Sequence, residues 1–261
     1  MITASSTYIL AGWPGTALAI VAQGILIVFL FTGLHESIHR TAFATPWLND
    51  IVATVFGFVV MLSPTWYRCF HLEHHLYTND RERDPELAGP KPATKREYAI
   101  HVSGLPETWG RFTGLWRNAI FFSKDSYVQE EKKKRVMVES RCYVGGYVAL
   151  FVISMALNTA VLFWLWVLPI LVGNPFLRLY LLAQHTNCAH VPNMLENTRT
   201  VLSNPLVRSI AWNMPYHAAH HSYPNIPFHK LPLFHSIVKD DFANTEYSYW
   251  AFHRKYIRSL H

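Results

Sequence analysis

At 261 residues the chain has room for one sizeable domain or two small ones, and it is 51% hydrophobic with only 15% charged residues, against about 25% charged in an average soluble domain. A net charge of +6 could point to nucleic acid, but the basic residues are interspersed with acids and no basic recognition helix stands out, so no nucleic-acid partner is expected. Attraction to an anionic leaflet accounts for the surplus, and the three scattered cysteines, Cys69, Cys142 and Cys188, give no sign of a disulfide framework, zinc ribbon or iron–sulfur cluster.

Nothing from Met1 to Leu34 is charged, and residues 13–34 are long enough to cross a bilayer once, since about 20 apolar residues suffice. No basic leader and no small-residue cleavage site accompany this stretch, so it is expected to be a retained span rather than a signal peptide. A second apolar block, 51–62, stops at Ser63-Pro64. Its dozen residues fit a re-entrant or interfacial segment better than a crossing. From Tyr67 to Arg141 the chain is polar, with a basic run at Lys132, Lys133, Lys134 and Arg135. That run is read as a solvated helix face.

Residues 142–185 are again apolar and interrupted by Pro169 and by Gly173-Asn174-Pro175. They predict a helical hairpin of two spans, 142–168 and 169–185, with its turn between Pro169 and Pro175. Residues 205–212 predict a surface-lying helix. Nearly all Lys and Arg follow residue 35 and avoid the spans, so the polar segments are expected in the cytoplasm and the N-terminus outside. With no internal repeat or flexible linker, one domain over residues 1–261 is the economical reading.

Fifteen histidines carry the chemistry. His35-Glu36-Ser37-Ile38-His39 ends the first span; His71-Leu72-Glu73-His74-His75 follows the short apolar block; His217-Ala218-Ala219-His220-His221 comes after the hairpin. On a helix, residues three and four apart share a face, so such imidazoles can converge on a metal. At this histidine content HxxHH should arise by chance about 0.05 times, and twice in roughly one chain in a thousand. The three clusters supply eight imidazoles, too many for one ion, so two ions are expected. Imidazole suits zinc, copper, iron and nickel alike, and redox chemistry at a membrane face favours iron. The zinc-protease spacing HExxH is absent, because His39 falls one residue too late.

The three clusters resemble the histidine boxes of the membrane fatty acid desaturase/hydroxylase superfamily. Supporting segments are Thr78-Asn79-Asp80 through Asp84-Pro85-Glu86, and Asn213-Met214-Pro215-Tyr216 before the third box. The resemblance implies an all-α membrane bundle under a cytosolic cap, a di-iron centre and O2 as co-substrate. It also implies a ninth ligand from the segment after the last span, where Gln184-His185-Thr186 makes His185 the candidate and His190 and Asn187 its rivals. Many members place a pair of spans before the first box, where this chain has room for one.

Ligating imidazoles usually donate their other N–H to a carboxylate or carbonyl. Asp84, in the family-like Asp-Pro-Glu element, is the first candidate, with Glu36, Glu73 and Asp80 behind it. Arg178, two helical turns before His185, should share its face; it either supports such a carboxylate or snorkels. His229 and His235 are expected at the surface or behind the ligands, and His101, His253 and His261 receive no role.

The leading functional expectation is desaturation of a fatty acyl chain. A hydroxylase or ketolase acting on a carotenoid or another lipid is the nearest alternative, and a membrane metal transporter is the alternative from another class. A transporter would put ionisable residues near the bilayer midplane, whereas these boxes sit at the span ends. The chain lacks CxxCH, a cysteine cluster and GxGxxG, so electrons are expected from a separate ferredoxin or cytochrome-type donor. Neither a phosphate cradle nor a charge-rich pocket for a polar metabolite is visible in the sequence.

Overall fold

An apolar segment in lipid has to satisfy its own backbone hydrogen bonds, and a helix does so. The computed structural model describes residues 12–261; the expectation for the N-terminus falls on residues outside these. α1 (Gly12–Val28) runs into α2 (Leu30–His39) with only Phe29 between them. Together they form one of three helical segments, among the described residues, that are long and apolar enough to cross a membrane. Arg40 ends α2 by taking a left-handed φ of 65° and returning its N–H to Glu36 and Ser37.

α3 (Pro46–Val59) and α4 (Pro64–Leu76) meet at a bend of 99°. Length and composition allow the pair as a broken fourth span or a re-entrant loop, consistent with the interruption expected at Ser63-Pro64. Pro64 opens α4, where its missing N–H costs nothing. The Glu139 carboxylate then takes hydrogen bonds from the Ser63 hydroxyl (2.7 Å), the Thr65 N–H (2.9 Å) and the Thr65 hydroxyl (2.5 Å). A helix end leaves its last carbonyls without partners. Here Tyr147 donates to the Phe58 carbonyl (2.6 Å) and the Trp166 indole to that of Val59 (2.9 Å). Aromatic groups of the later spans therefore close the end of α3.

α5 (Lys95–Ser103) and α6 (Leu105–Ile120) lead to α7 (Glu130–Ala156), the second segment long and apolar enough to cross, and Phe163–His185 is the third. The hairpin turn lies at residues 157–160, where Asn158 adopts a left-handed φ of 46°, and not between Pro169 and Pro175. The helical segments long and apolar enough to span are thus Glu130–Ala156 and Phe163–His185 rather than 142–168 and 169–185. The basic run falls in the first turns of α7.

Pro169 is accommodated because a π-helical turn, Phe163–Val167, precedes α8 (Leu168–His185). Proline withholds the N–H that would serve the carbonyl four residues earlier. That carbonyl, Leu165 O, receives the side-chain amide of Gln23 on α1 instead. α1 and α8 cross at Gly24 and Gly173, where a Cβ on either would strike the other's backbone, the small-residue contact that lets membrane helices approach closely.

The remaining elements are α9 (Met194–Asn197), α10 (Pro205–Ile210), α11 (His217–Ser222), α12 (Leu231–Val238) and α13 (Tyr249–Ser259), with a parallel bridge of Thr200–Val201 to Thr245–Glu246. α10 buries none of its residues, as expected of a surface helix, but stops at Ile210, where Trp212 and Asn213 beyond it adopt left-handed φ values of 51° and 57°. The fold is all-α with almost no sheet. Its main core joins Phe31, Leu34 and Ile38 on α2 to Leu177 and Tyr180 on α8 and to Met214, Ala218 and Ala219 beside the third box.

Candidate metal centre

All three boxes are helical, on α2, α4 and α11, and the last residue of α8 is His185. The structure sorts nine histidines into two groups: His35, His39, His71, His75 and His220 in one, and His74, His185, His217 and His221 in the other. Within each group the ligand atoms lie within 4.8 Å of one another. Helical geometry explains the partition. At about 100° per residue, i and i+4 diverge by about 40°, whereas i+3 lies about 60° to the other side. In α4 the i, i+4 pair His71 and His75 enters the first group and His74 the second. In α11 the pair His217 and His221 enters the second group and His220 the first. The two HxxHH boxes are used in opposite senses, which is how they bridge two sites.

The outer nitrogens show which ring atoms face inward. His74 Nδ1 lies 2.9 Å from Asp84 Oδ1, His185 Nδ1 3.2 Å from the Asn197 carbonyl, His221 Nδ1 3.1 Å from the Thr78 hydroxyl and His217 Nδ1 3.4 Å from the Gln184 amide. Asp84, the Asn197 carbonyl and the Thr78 hydroxyl can accept an Nδ1 proton and leave the Nε2 atoms of their histidines to converge, and His185 Nε2 stands 3.0 Å from His217 Nε2. In the first group His71 and His75 bring Nε2 atoms to 3.0 Å, and His75 and His220 to 3.2 Å. His39 Nε2 and His221 Nε2 are buried without a hydrogen-bond partner. Burial, and then the neighbouring imidazoles, push His217, His220 and His221 well below the ordinary histidine pKa, keeping them neutral. Mutually facing nitrogens, most of them buried, fit two cations such as iron, because a cation among them would satisfy the inward lone pairs.

Other predicted residues separate clearly. Asp84 also accepts the Asn79 and Glu86 N–H groups, at 2.7 and 2.9 Å, which locks its carboxylate against His74. Glu36 is fully buried, 3.5 Å from His35 Nδ1 and 3.8 Å from His220 Nδ1. Asp80 does not approach the histidines; it holds its own turn through the Glu82 and Arg83 N–H groups and pairs with Arg83 at 3.0 Å. Arg178 pairs with Glu107 (2.5 Å) and meets His101 (3.0 Å). His190 turns to the Asn79 carbonyl at 2.8 Å, away from both groups. His229 is exposed, His235 stacks on Phe242, and His253 is pinned between Tyr98 and the Leu179 carbonyl.

Sequence reasoning did not single out Glu86, whose Oε1 lies 3.9 Å from His74 Nε2, nor Thr78 and Gln184, although all three lie in segments quoted for the resemblance. Asn197 carried no signal, because a backbone carbonyl serves His185 whatever the side chain. Beside the centre is a cavity of about 810 Å³ lined by Phe31, Trp66, Tyr67, Glu86, Leu115 and Leu182 among others. Tyr67 stacks on His71 with centroids 5.4 Å apart, and Phe31 faces the His35 ring at 6.5 Å. The same cavity is lined by Lys91, Glu107, Arg111 and Arg178, so a charged pocket exists where the sequence offered none. Its residues come from different elements, and only folding assembles them.

Two groups of imidazoles that could hold metal, at the end of a bundle of apolar helices, point to a membrane protein with a histidine-lined metal site. The fatty acid desaturase family model matches residues 11–253, and the chain belongs to that family. It is similar to the dihydrorhizobitoxine desaturase of Bradyrhizobium elkanii, with 26% identity over 83% of this chain and 65% of the relative. It also resembles the sn-1 oleoyl-lipid 12-desaturase of Arthrospira platensis (28% identity; 67% and 54%) and that of Synechocystis sp. (24%; 88% and 68%). The chain thus spans between about half and two thirds of the length of these curated relatives.

Proposed function

We propose that this protein is a multi-pass membrane oxidoreductase that holds one iron in each histidine group and removes two hydrogens from an acyl chain, leaving a double bond. The observation that carries this reading is the partition of nine inward-facing imidazoles into groups of five and four beside a partly apolar cavity. His35, His39, His71, His75 and His220 would hold one ion, and His74, His185, His217 and His221 the other. Two irons there would supply O2-dependent cleavage of unactivated C–H bonds. Asp84, Thr78 and the Asn197 carbonyl keep the Nδ1 protons of their histidines, so that Nε2 lone pairs stay available. Phe31, Tyr67 and Leu182 line the apolar approach and exclude water from the reacting segment. Desaturation over hydroxylation follows the names of the relatives, all of them desaturases.

Electrons come from a separate ferredoxin or cytochrome-type protein, and the centre faces the cytoplasm, where the basic residues following the first span belong. The test is mass spectrometry of lipids from cells that express the chain and are fed deuterated fatty acids under labelled O2. Loss of two deuteriums without added oxygen is expected. One 18O in the product would replace desaturation by hydroxylation, and an unchanged profile would remove the proposal.

A further inference from the structure

Eight of the nine grouped histidines share a helix with at least one other, whereas His185 stands alone as the last residue of α8. A helix frays at its ends, and its last four carbonyls have no partner within it. An imidazole in that place is held only as firmly as the helix end, so something outside α8 has to fix it.

Arg199 does this. Its backbone N–H donates to the Gln184 carbonyl at 2.8 Å. Its guanidinium Nη1 donates to the carbonyls of Ala183 (2.6 Å) and Thr186 (2.8 Å). One residue thus takes three carbonyls around His185. Arg199 is only 7% exposed and forms no ion pair among the described residues, and its guanidinium lies 4.8 Å from the Phe252 ring centroid on α13. Taking a cation out of water is costly. The negative end of α8, the two carbonyls and the ring face offset that cost together. The same stretch of chain reaches the His185 ring, because the Asn197 carbonyl, two residues before Arg199, lies 3.2 Å from Nδ1. Gln184, whose carbonyl Arg199 holds, carries the amide that meets His217 Nδ1 at 3.4 Å.

We propose that Arg199 is a positioning residue of the four-histidine group, a buried cation that clamps the end of α8 and so keeps His185 facing His74, His217 and His221. The proposal rests on the reading of that group as a metal site. No histidine of the five-membered group lies on α8, so the effect is confined to one site.

The test is titration of the chelator-treated chain in nanodiscs with cobalt(II), followed by its visible absorption. His39→Ala disables the five-histidine group and His221→Ala the four-histidine group, so each background reports one site. In the His39→Ala background, Arg199→Met should lower cobalt affinity by about tenfold, the lower end of the 10–100-fold attached to the partners of ligating imidazoles. Arg199→Lys should recover part of that loss, since an ammonium brings the charge without the fork of donors. Phe252→Leu should cost about two- to fivefold. In the His221→Ala background all three should change affinity by less than about twofold, which also shows that the variants fold. An unchanged affinity in Arg199→Met, equal losses in the two backgrounds, or Arg199→Lys no better than Arg199→Met would each overturn the proposal; equal losses would mean that Arg199 serves the fold as a whole. Turnover plays no part here. If the His39→Ala protein with Arg199 intact takes up no cobalt, the metal reading falls and this proposal with it. If it binds cobalt and Arg199→Met changes nothing, only this proposal falls.

Discussion

In the group formed by His74, His185, His217 and His221 all four rings are buried, and each has its outer nitrogen engaged, by Asp84, Asn197, Gln184 or Thr78. The five-histidine group is held differently. His39 and His75 are only half-buried, and the outer nitrogens of His71 and His220 have no partner. A single carboxylate, Glu36, stands between His35 and His220 at 3.5 and 3.8 Å. The four-histidine group is thus oriented by the surrounding protein, whereas the five-histidine group has fewer outer partners to orient it. Outer partners fix ring orientation and raise ligand basicity, so the two sites should differ in affinity although their ligands are chemically alike.

The largest effect tests what the groups share. His220→Ala and His74→Ala should each reduce turnover by more than about 100-fold, since outer partners alone are worth about 10–100-fold, while membrane insertion continues because the apolar helices drive it. His190→Ala and His229→Ala should be mild in the same lipid assay. An equal loss at all four positions would dissolve the distinction between ligands and bystanders.

Asp84→Asn should weaken metal retention at the four-histidine site by about 10–100-fold, measured by elemental analysis after dialysis. Glu36→Gln should cost less, because its contacts are longer. The reverse order would invert the comparison. In a titration of metal-free protein with cobalt, the first equivalent should enter the four-histidine group, so His221→Ala should remove the first spectroscopic phase and His39→Ala the second.

The smallest effect is a pH dependence of the metal-free protein. His217, His220 and His221 have folded pKa values well below 6.5. Below pH 6.5 the unfolded chain takes up protons that the folded chain refuses, so their contribution to stability is complete above about 6.5 and falls as the pH drops towards the folded values. Thermal melts from pH 7.5 to 5 should show Tm falling with acidity, and a flat profile would mean that these rings are not buried and neutral.

The gathering of the histidine boxes was legible in the sequence, because they repeat at helical spacing and an i, i+3, i+4 pattern retains its meaning wherever the helix is placed. The same holds for charge-free stretches long enough to cross a bilayer. The hairpin turn was misplaced because Pro169 and Pro175 read locally as breakers, whereas Gln23, distant in sequence, serves the carbonyl that Pro169 leaves free. The partition into five and four, the matching of Asp84 but not Asp80 to a histidine, and the pairing of Arg178 with Glu107 were decided only by tertiary structure. Each depends on the distance between side chains from separate elements, and spacing along one helix does not encode that distance.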